Sequence, residues 1–134
     1  MRDVLAEARK SAAARRTRRD EASRAWAEVL ERVALPLTRQ LVQVLKAEGH
    51  GIQVFTPADQ VRISLNGHQE DFVEWRLDTS GEEPAVIERV NQTRGREIVT
   101  DERVFVRGVE PISTLSEEHV LDQITRALAR LLTR

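Results

Sequence analysis

The 134-residue chain contains no cysteine and no tyrosine, and it has only three phenylalanines, two tryptophans and four prolines. Without cysteine it has no disulfide framework, no thiolate metal site and no cysteine nucleophile. The shortage of aromatic residues leaves little material for base-stacking platforms or aromatic cages. Composition therefore argues against several common kinds of binding and catalytic site before any motif is considered.

Long apolar runs and a strong charge bias are also missing. No run of about 18 apolar residues occurs, which predicts no membrane-spanning helix. The first 20 residues lack a continuous apolar segment, so no secretory signal is predicted. Net charge is −1, and 40% of residues are hydrophobic, as in ordinary folded domains. We expect a cytoplasmic protein without membrane contact.

The basic residues are strongly biased toward arginine. Of the 21 basic residues only Lys10 and Lys46 are lysines. We interpret this bias as the product of GC-rich coding, which predicts a bacterial source.

Residues 1–48 contain no glycine and are rich in helix-forming alanine, arginine, glutamate and leucine. From Trp26 onward the apolar residues recur every three or four positions, which predicts one buried helical face. They are Trp26, Leu30, Val33, Leu37, Leu41 and Val44. Pro36 lies within this pattern and predicts a kink or break near residues 32–36. Residues 1–20 have few such anchors and are predicted to form a basic helical extension, with residues 21–134 as a single α+β domain.

After Gly51 the hydrophobic period changes to two, which is typical of half-buried antiparallel strands. Turn-forming residues separate short segments and predict neighbouring strands in a meander. The predicted strands lie near residues 52–56, 60–66, 71–78, 84–90, 96–100 and 103–108. Ser116 is the predicted N-cap of an amphipathic C-terminal helix.

The predicted fold class is a two-layer α+β domain. It combines an antiparallel β-meander of five to six strands with a long N-terminal helix, kinked or broken at Pro36, and the amphipathic C-terminal helix packed on one sheet face.

No sequence motif points to catalysis, a cofactor or a metal. The chain lacks G-x-S-x-G, G-x-G-x-x-G and the P-loop pattern, and its three histidines do not have zinc-ligand spacing. One enzymatic alternative is a metal-dependent hydrolase or nuclease, in which carboxylates gather on one sheet face beside arginines. The residues are Glu74, Asp78 and Glu88 with Arg76 and Arg89. Alternation of these acids with apolar residues is more typical of a solvated face, so we predict no catalytic residue.

Two apolar patches are candidates for binding a protein partner or for self-association. Val4, Leu5 and Ala8 form a short stripe on the helical extension, of the kind that docks on another helix. Phe72 and Phe105 alternate out of phase with the main apolar residues of their strands, which predicts that both lie on the outer sheet face.

The extension is also basic. Residues 1–25 carry eight basic and four acidic side chains, a net charge of +4. Clustered arginines neutralise phosphates, so a nucleic-acid-binding accessory protein is an alternative function. Its contacts would come from Arg9, Arg15, Arg16, Arg18 and Arg19. The preferred prediction is a small non-catalytic interaction protein, an adaptor or a subunit of a larger assembly.

Overall fold

A computed structural model describes residues 2–133, with side chains from Asp3 onward. Helices α1 and α2 are joined by a short π turn, and a five-stranded sheet, a short helix and a final helix follow. The elements are α1 (Arg2–Val29), the π turn (Leu30–Ala34), α2 (Leu35–Ala47), β1 (Ile52–Phe55), β2 (Gln60–Leu65), β3 (His68–Asp78), β4 (Ala85–Arg94), β5 (Glu97–Arg107), α3 (Val109–Ser113) and α4 (Glu117–Leu132).

The helix continues past Pro36 instead of breaking there. A proline inside a helix lacks the N–H group and clashes with the carbonyl group four residues earlier. The π turn immediately before it is wider than an α turn, and it is closed by a bond from the Leu35 N–H to the Leu30 carbonyl oxygen. The irregularity predicted near residues 32–36 is therefore a local widening of the helix.

The five strands form one antiparallel sheet in sequence order, which confirms the meander. The predicted strands at 96–100 and 103–108 are a single strand, β5, so the break predicted between them does not exist. The polar residues there resemble a turn signal, but β5 is an edge strand, and edge strands commonly carry charged side chains. Asp101, for example, lies directly opposite Val90 of β4.

One sheet face is covered by helices, and the apolar residues of both layers form a single core. Trp26 and Val29 of α1 and Leu131 of α4 are buried against strand residues such as Val73 and Val86. The Trp26 indole N–H also donates to the carbonyl oxygen of Asp59, at 2.9 Å. The two-layer α+β architecture predicted from hydrophobic periodicity is confirmed.

The C-terminal helix begins where the sequence predicts it. The Ser116 side chain accepts a hydrogen bond from the backbone N–H of His119, at 3.1 Å, which caps α4. Its apolar stripe, including Val120, Ile124 and Leu128, is buried on the sheet. Across residues 2–133 the structure contains no helix long and apolar enough to cross a lipid bilayer.

Candidate functional site

The first part of α1 projects away from the core. Every described side chain from Asp3 to Ser11 is exposed to solvent. The apolar stripe predicted on this segment is therefore accessible: Val4 is 71% and Leu5 59% exposed, and Ala8 is exposed one turn later. We call residues 3–11 the arm. Nothing in the described chain covers its apolar side chains.

Four arginines of α1 follow the arm and face the loop between β3 and β4. Arg15, Arg16, Arg18 and Arg19 line one open groove of about 310 Å³. The rest of the groove is formed by Ala12 and the loop residues Thr79, Ser80, Gly81, Glu82 and Pro84. Arg9 is exposed and lies outside this groove. The structure thus brings together four of the five arginines predicted as phosphate contacts.

The charge of the four groove arginines is not balanced by ion pairs in the part of the chain that the structure describes. Within the described residues none of the four forms an ion pair. Glu82 is the one acidic residue of the groove lining. Guanidinium groups without carboxylate partners remain available for carboxylates or phosphates of another molecule.

The loop across the groove is shaped by Asp78. Its carboxylate accepts hydrogen bonds from the Ser80 hydroxyl group, at 2.6 Å, and from the Ser80 backbone N–H, at 2.9 Å. The Ser80 side chain, then the Ser80 backbone, hold the pKa of Asp78 below its usual value. The Ser80 hydroxyl is therefore engaged in the turn, whereas the arginines opposite are not engaged.

Phe72 lies on the outer sheet face, as its alternation predicts, but it is only 9% exposed. The guanidinium carbon of Arg62 stands over its ring, 4.1 Å from the ring centroid. Stacking of this kind is a cation–π contact that covers the ring from solvent. Phe72 therefore does not present an open apolar surface.

The predicted orientation of Phe105 was wrong. Ile87 pairs with Val104 and Val86 pairs with Val106, so a β-bulge leaves one extra residue on β5. The extra residue is Phe105, which packs on the helix-covered core and makes an edge-to-face contact with His119, at 5.1 Å between ring centroids. Val104 is exposed instead. Alternation counted along a strand fails at a bulge, and this bulge has no recognisable sequence signal.

The carboxylates proposed for a hydrolase are not brought together. Glu74 lies on the outer face, where its side chain binds Arg62 and is 3.7 Å from Arg76. Glu88 lies on the helix-covered face and accepts hydrogen bonds from Trp75 Nε1, at 2.9 Å, and Gln123 Nε2, at 2.8 Å. No group of three or more potential metal ligands occurs in the described part of the chain.

The histidines are equally separated. His50 follows α2, His68 begins β3 and His119 lies in the first turn of α4. They provide no shared site.

The outer face carries a ladder of alternating charges, whose individual pairs were not predicted from the sequence. Successive strands place Arg62, Glu74, Arg89 and Glu102 opposite one another. Arg62 binds Glu74 and Arg89 binds Glu102, and Arg76 is 3.8 Å from Glu102. Such cross-strand pairs become visible only once the register is known. The ladder neutralises most of the charge on this face.

Comparison with known proteins gives no guidance about this arrangement: no family model, no curated protein and no solved structure matches the chain.

Proposed function

We propose that the chain is a small non-catalytic interaction protein, an adaptor or a subunit of a larger assembly, that binds a protein partner through its arm. The observation that carries this proposal is the exposed stripe of Val4, Leu5 and Ala8 on the arm, which the rest of the described chain does not cover. A short helical segment without tertiary contacts gains little stability in water. Docking of the stripe on a partner would stabilise it.

The outer sheet face has less support as the docking surface. Phe72 is covered by Arg62, and Phe105 packs toward the helices. The remaining centre of this face is the charge ladder. The arm is therefore the better of the two surfaces predicted from the sequence. A bacterial source and a cytoplasmic location remain predictions from composition.

The test is a pull-down with the full chain as bait, in its natural sequence and as two variants. In the first variant Val4→Asp and Leu5→Asp place charges in the stripe. In the control, Val44→Asp places a charge at another exposed apolar residue, 54% exposed on α2. A partner should bind the natural chain and the control and be lost from the arm variant. Equal capture by all three baits would overturn the proposal.

A second candidate function, nucleic-acid binding, is favoured by the groove arginines. Arg15, Arg16, Arg18 and Arg19 converge without intramolecular ion pairs within the described residues. Phosphate binding by them would release counterions, so affinity would fall steeply as salt concentration rises.

Fluorescence anisotropy with a labelled RNA or DNA oligonucleotide tests this function. Arg15→Ala with Arg19→Ala should weaken binding and reduce its salt dependence, whereas Arg9→Ala, outside the groove, should have a smaller effect. Absence of binding at low salt would exclude it. The hydrolase alternative is not carried forward, because Glu74 and Glu88 lie on opposite sheet faces.

A further inference from the structure

Strand β5 is the last strand of the sheet, so one of its edges has no neighbouring strand among the described residues. It is eleven residues long, whereas the other edge strand, β1, has four. Large exposed apolar residues are concentrated on it: Ile98 is 51%, Val99 46% and Val104 44% exposed. A long unpaired edge with exposed apolar residues is a template for pairing with another strand.

We propose that β5 pairs antiparallel with β5 of a second copy of this chain, with Glu102 on the two-fold axis. The two five-stranded sheets would then form one continuous sheet of about ten strands. This surface is separate from the arm, and the proposal does not depend on the proposed function.

Two-fold symmetry restricts the registers that are possible. Hydrogen-bonded and non-hydrogen-bonded pairs alternate along an antiparallel ladder. A two-fold axis between the two strands must therefore pass through a point at which one residue faces the same residue of the other copy. The pairing is fully defined by which residue of β5 lies on the axis.

Charge complementarity selects Glu102 as that residue. With Glu102 on the axis, Asp101 faces Arg103 directly beside the axis, and this pair occurs twice. Axes at the neighbouring residues Asp101 and Arg103 give no opposite-charge pair, and no other axis on the strand places opposite charges directly beside it. Opposite charges placed across strands stabilise pairing, and like charges destabilise it.

The Asp101 and Arg103 side chains are already arranged for this contact. Arg103 Nη2 lies 3.2 Å from Asp101 Oδ2 within one chain, and Arg130 Nη2 of α4 lies 3.0 Å from the same oxygen. The Arg103 side chain is 59% exposed, so its guanidinium group has donors to spare. In the dimer, Asp101 and Arg103 of the two copies would form a square of four charges with alternating sign.

Glu102 is the one position where like charges would face each other. Each carboxylate is, however, bound by Arg89 of its own chain and lies 3.8 Å from Arg76. The two Glu102 carboxylates that meet at the axis would therefore each be neutralised by an arginine of its own chain. The bulge at Phe105 would lie opposite Val99 of the second copy. Regular antiparallel pairing between the two β5 strands would therefore cover residues 100–104.

Disulfide cross-linking tests the axis directly, because the natural chain has no cysteine. Glu102→Cys should give a covalent dimer rapidly under mild oxidation. The matched control is Glu97→Cys, the same substitution on the same strand. In the proposed dimer its two copies are ten residue steps apart, about 34 Å, so it should remain monomeric in the gel. Equal rates for both variants, or no cross-link from Glu102→Cys in a folded protein, would overturn the register.

Reversing the charge of Arg103 tests the dimer interface without changing any residue of the charge ladder on the outer face. Sedimentation velocity of the full chain should show a concentration-dependent dimer. Arg103→Glu should raise the dimer dissociation constant about tenfold or more, because four acidic groups would then meet. Arg126→Glu on α4 is the control, since Arg126 is also exposed and also paired with a carboxylate, Asp122. A natural chain that stays monomeric at all concentrations, or a dimer that Arg103→Glu does not weaken, would overturn the proposal.

Discussion

Glu88 is a polar residue that the sheet turns toward the helices. It is 3% exposed, and both donors to its Oε1 atom are neutral side chains, Trp75 and Gln123. Buried donors need acceptors, because an unpaired buried polar group costs about 1–3 kcal/mol. Glu88 therefore links the sheet to α4 through these two hydrogen bonds.

We therefore predict that Glu88→Ala destabilises the fold by about 2–4 kcal/mol, from two orphaned donors and a small cavity. Glu88→Gln should cost less, because its amide oxygen can still accept both hydrogen bonds. Urea denaturation followed by tryptophan fluorescence measures both values. If the two variants lost equal stability, the hydrogen bonds would not be the cause.

A second residue-scale prediction concerns Asp78. Its pKa is lowered mainly by the Ser80 hydroxyl, so Ser80→Ala should raise it. A carboxyl group with a lowered folded-state pKa stabilises the fold above its unfolded pKa of about 3.9, and this contribution is lost as pH falls through the folded pKa. The variant should therefore lose this contribution at a higher pH than the natural chain.

NMR titration of the side-chain carboxyl carbons measures the shift. Asp101 is an internal control, because its pKa is lowered by hydrogen bonds from Arg130 and Arg103 and not by Ser80. An unchanged Asp78 pKa in the variant would contradict the assignment.

At the scale of elements, α1 combines two helical segments with different surroundings. The arm is exposed on all sides, whereas Ala22, Trp26 and Val29 are buried in the core. Backbone hydrogen bonds that open without disturbing a core exchange quickly. One continuous helix should therefore have two very different exchange rates.

Hydrogen–deuterium exchange checks this prediction. Peptides covering residues 3–11 should exchange within the shortest labelling times, and those covering 22–29 should be protected by several orders of magnitude. A partner bound to the arm should slow exchange in the first group alone. Strong protection of the arm in the isolated monomer would show that it has a tertiary contact of its own.

The elements that could be predicted from the sequence are those whose signal lies within a short stretch of neighbouring residues. The core helix from Trp26, the capped helix at Ser116 and the alternating strands all follow from spacing within a few residues. The continuity of β5 through Asp101 and the inward direction of Phe105 depend on the register with β4, which is a long-range property. The same limit explains why the individual pairs of the charge ladder could not be predicted, while the arginines of one helix could.

At the scale of the whole molecule, the arm should be dispensable for folding. None of its described side chains is buried, and exposed positions usually change stability by less than about 0.5 kcal/mol each. Removal of residues 1–11 should leave the urea midpoint and the slope of the transition nearly unchanged. A large fall in the midpoint would mean that the arm belongs to the cooperative unit.

The sequential order of the strands has a consequence for biosynthesis. Each hairpin can close as soon as its second strand has left the ribosome, since no strand waits for a distant partner. The apolar face around Trp75 is different, because α4 covers part of it and follows all five strands in the chain. Until α4 has been translated, the part of the apolar sheet face that α4 covers would be exposed to solvent. This interval is when the nascent chain would most need a chaperone.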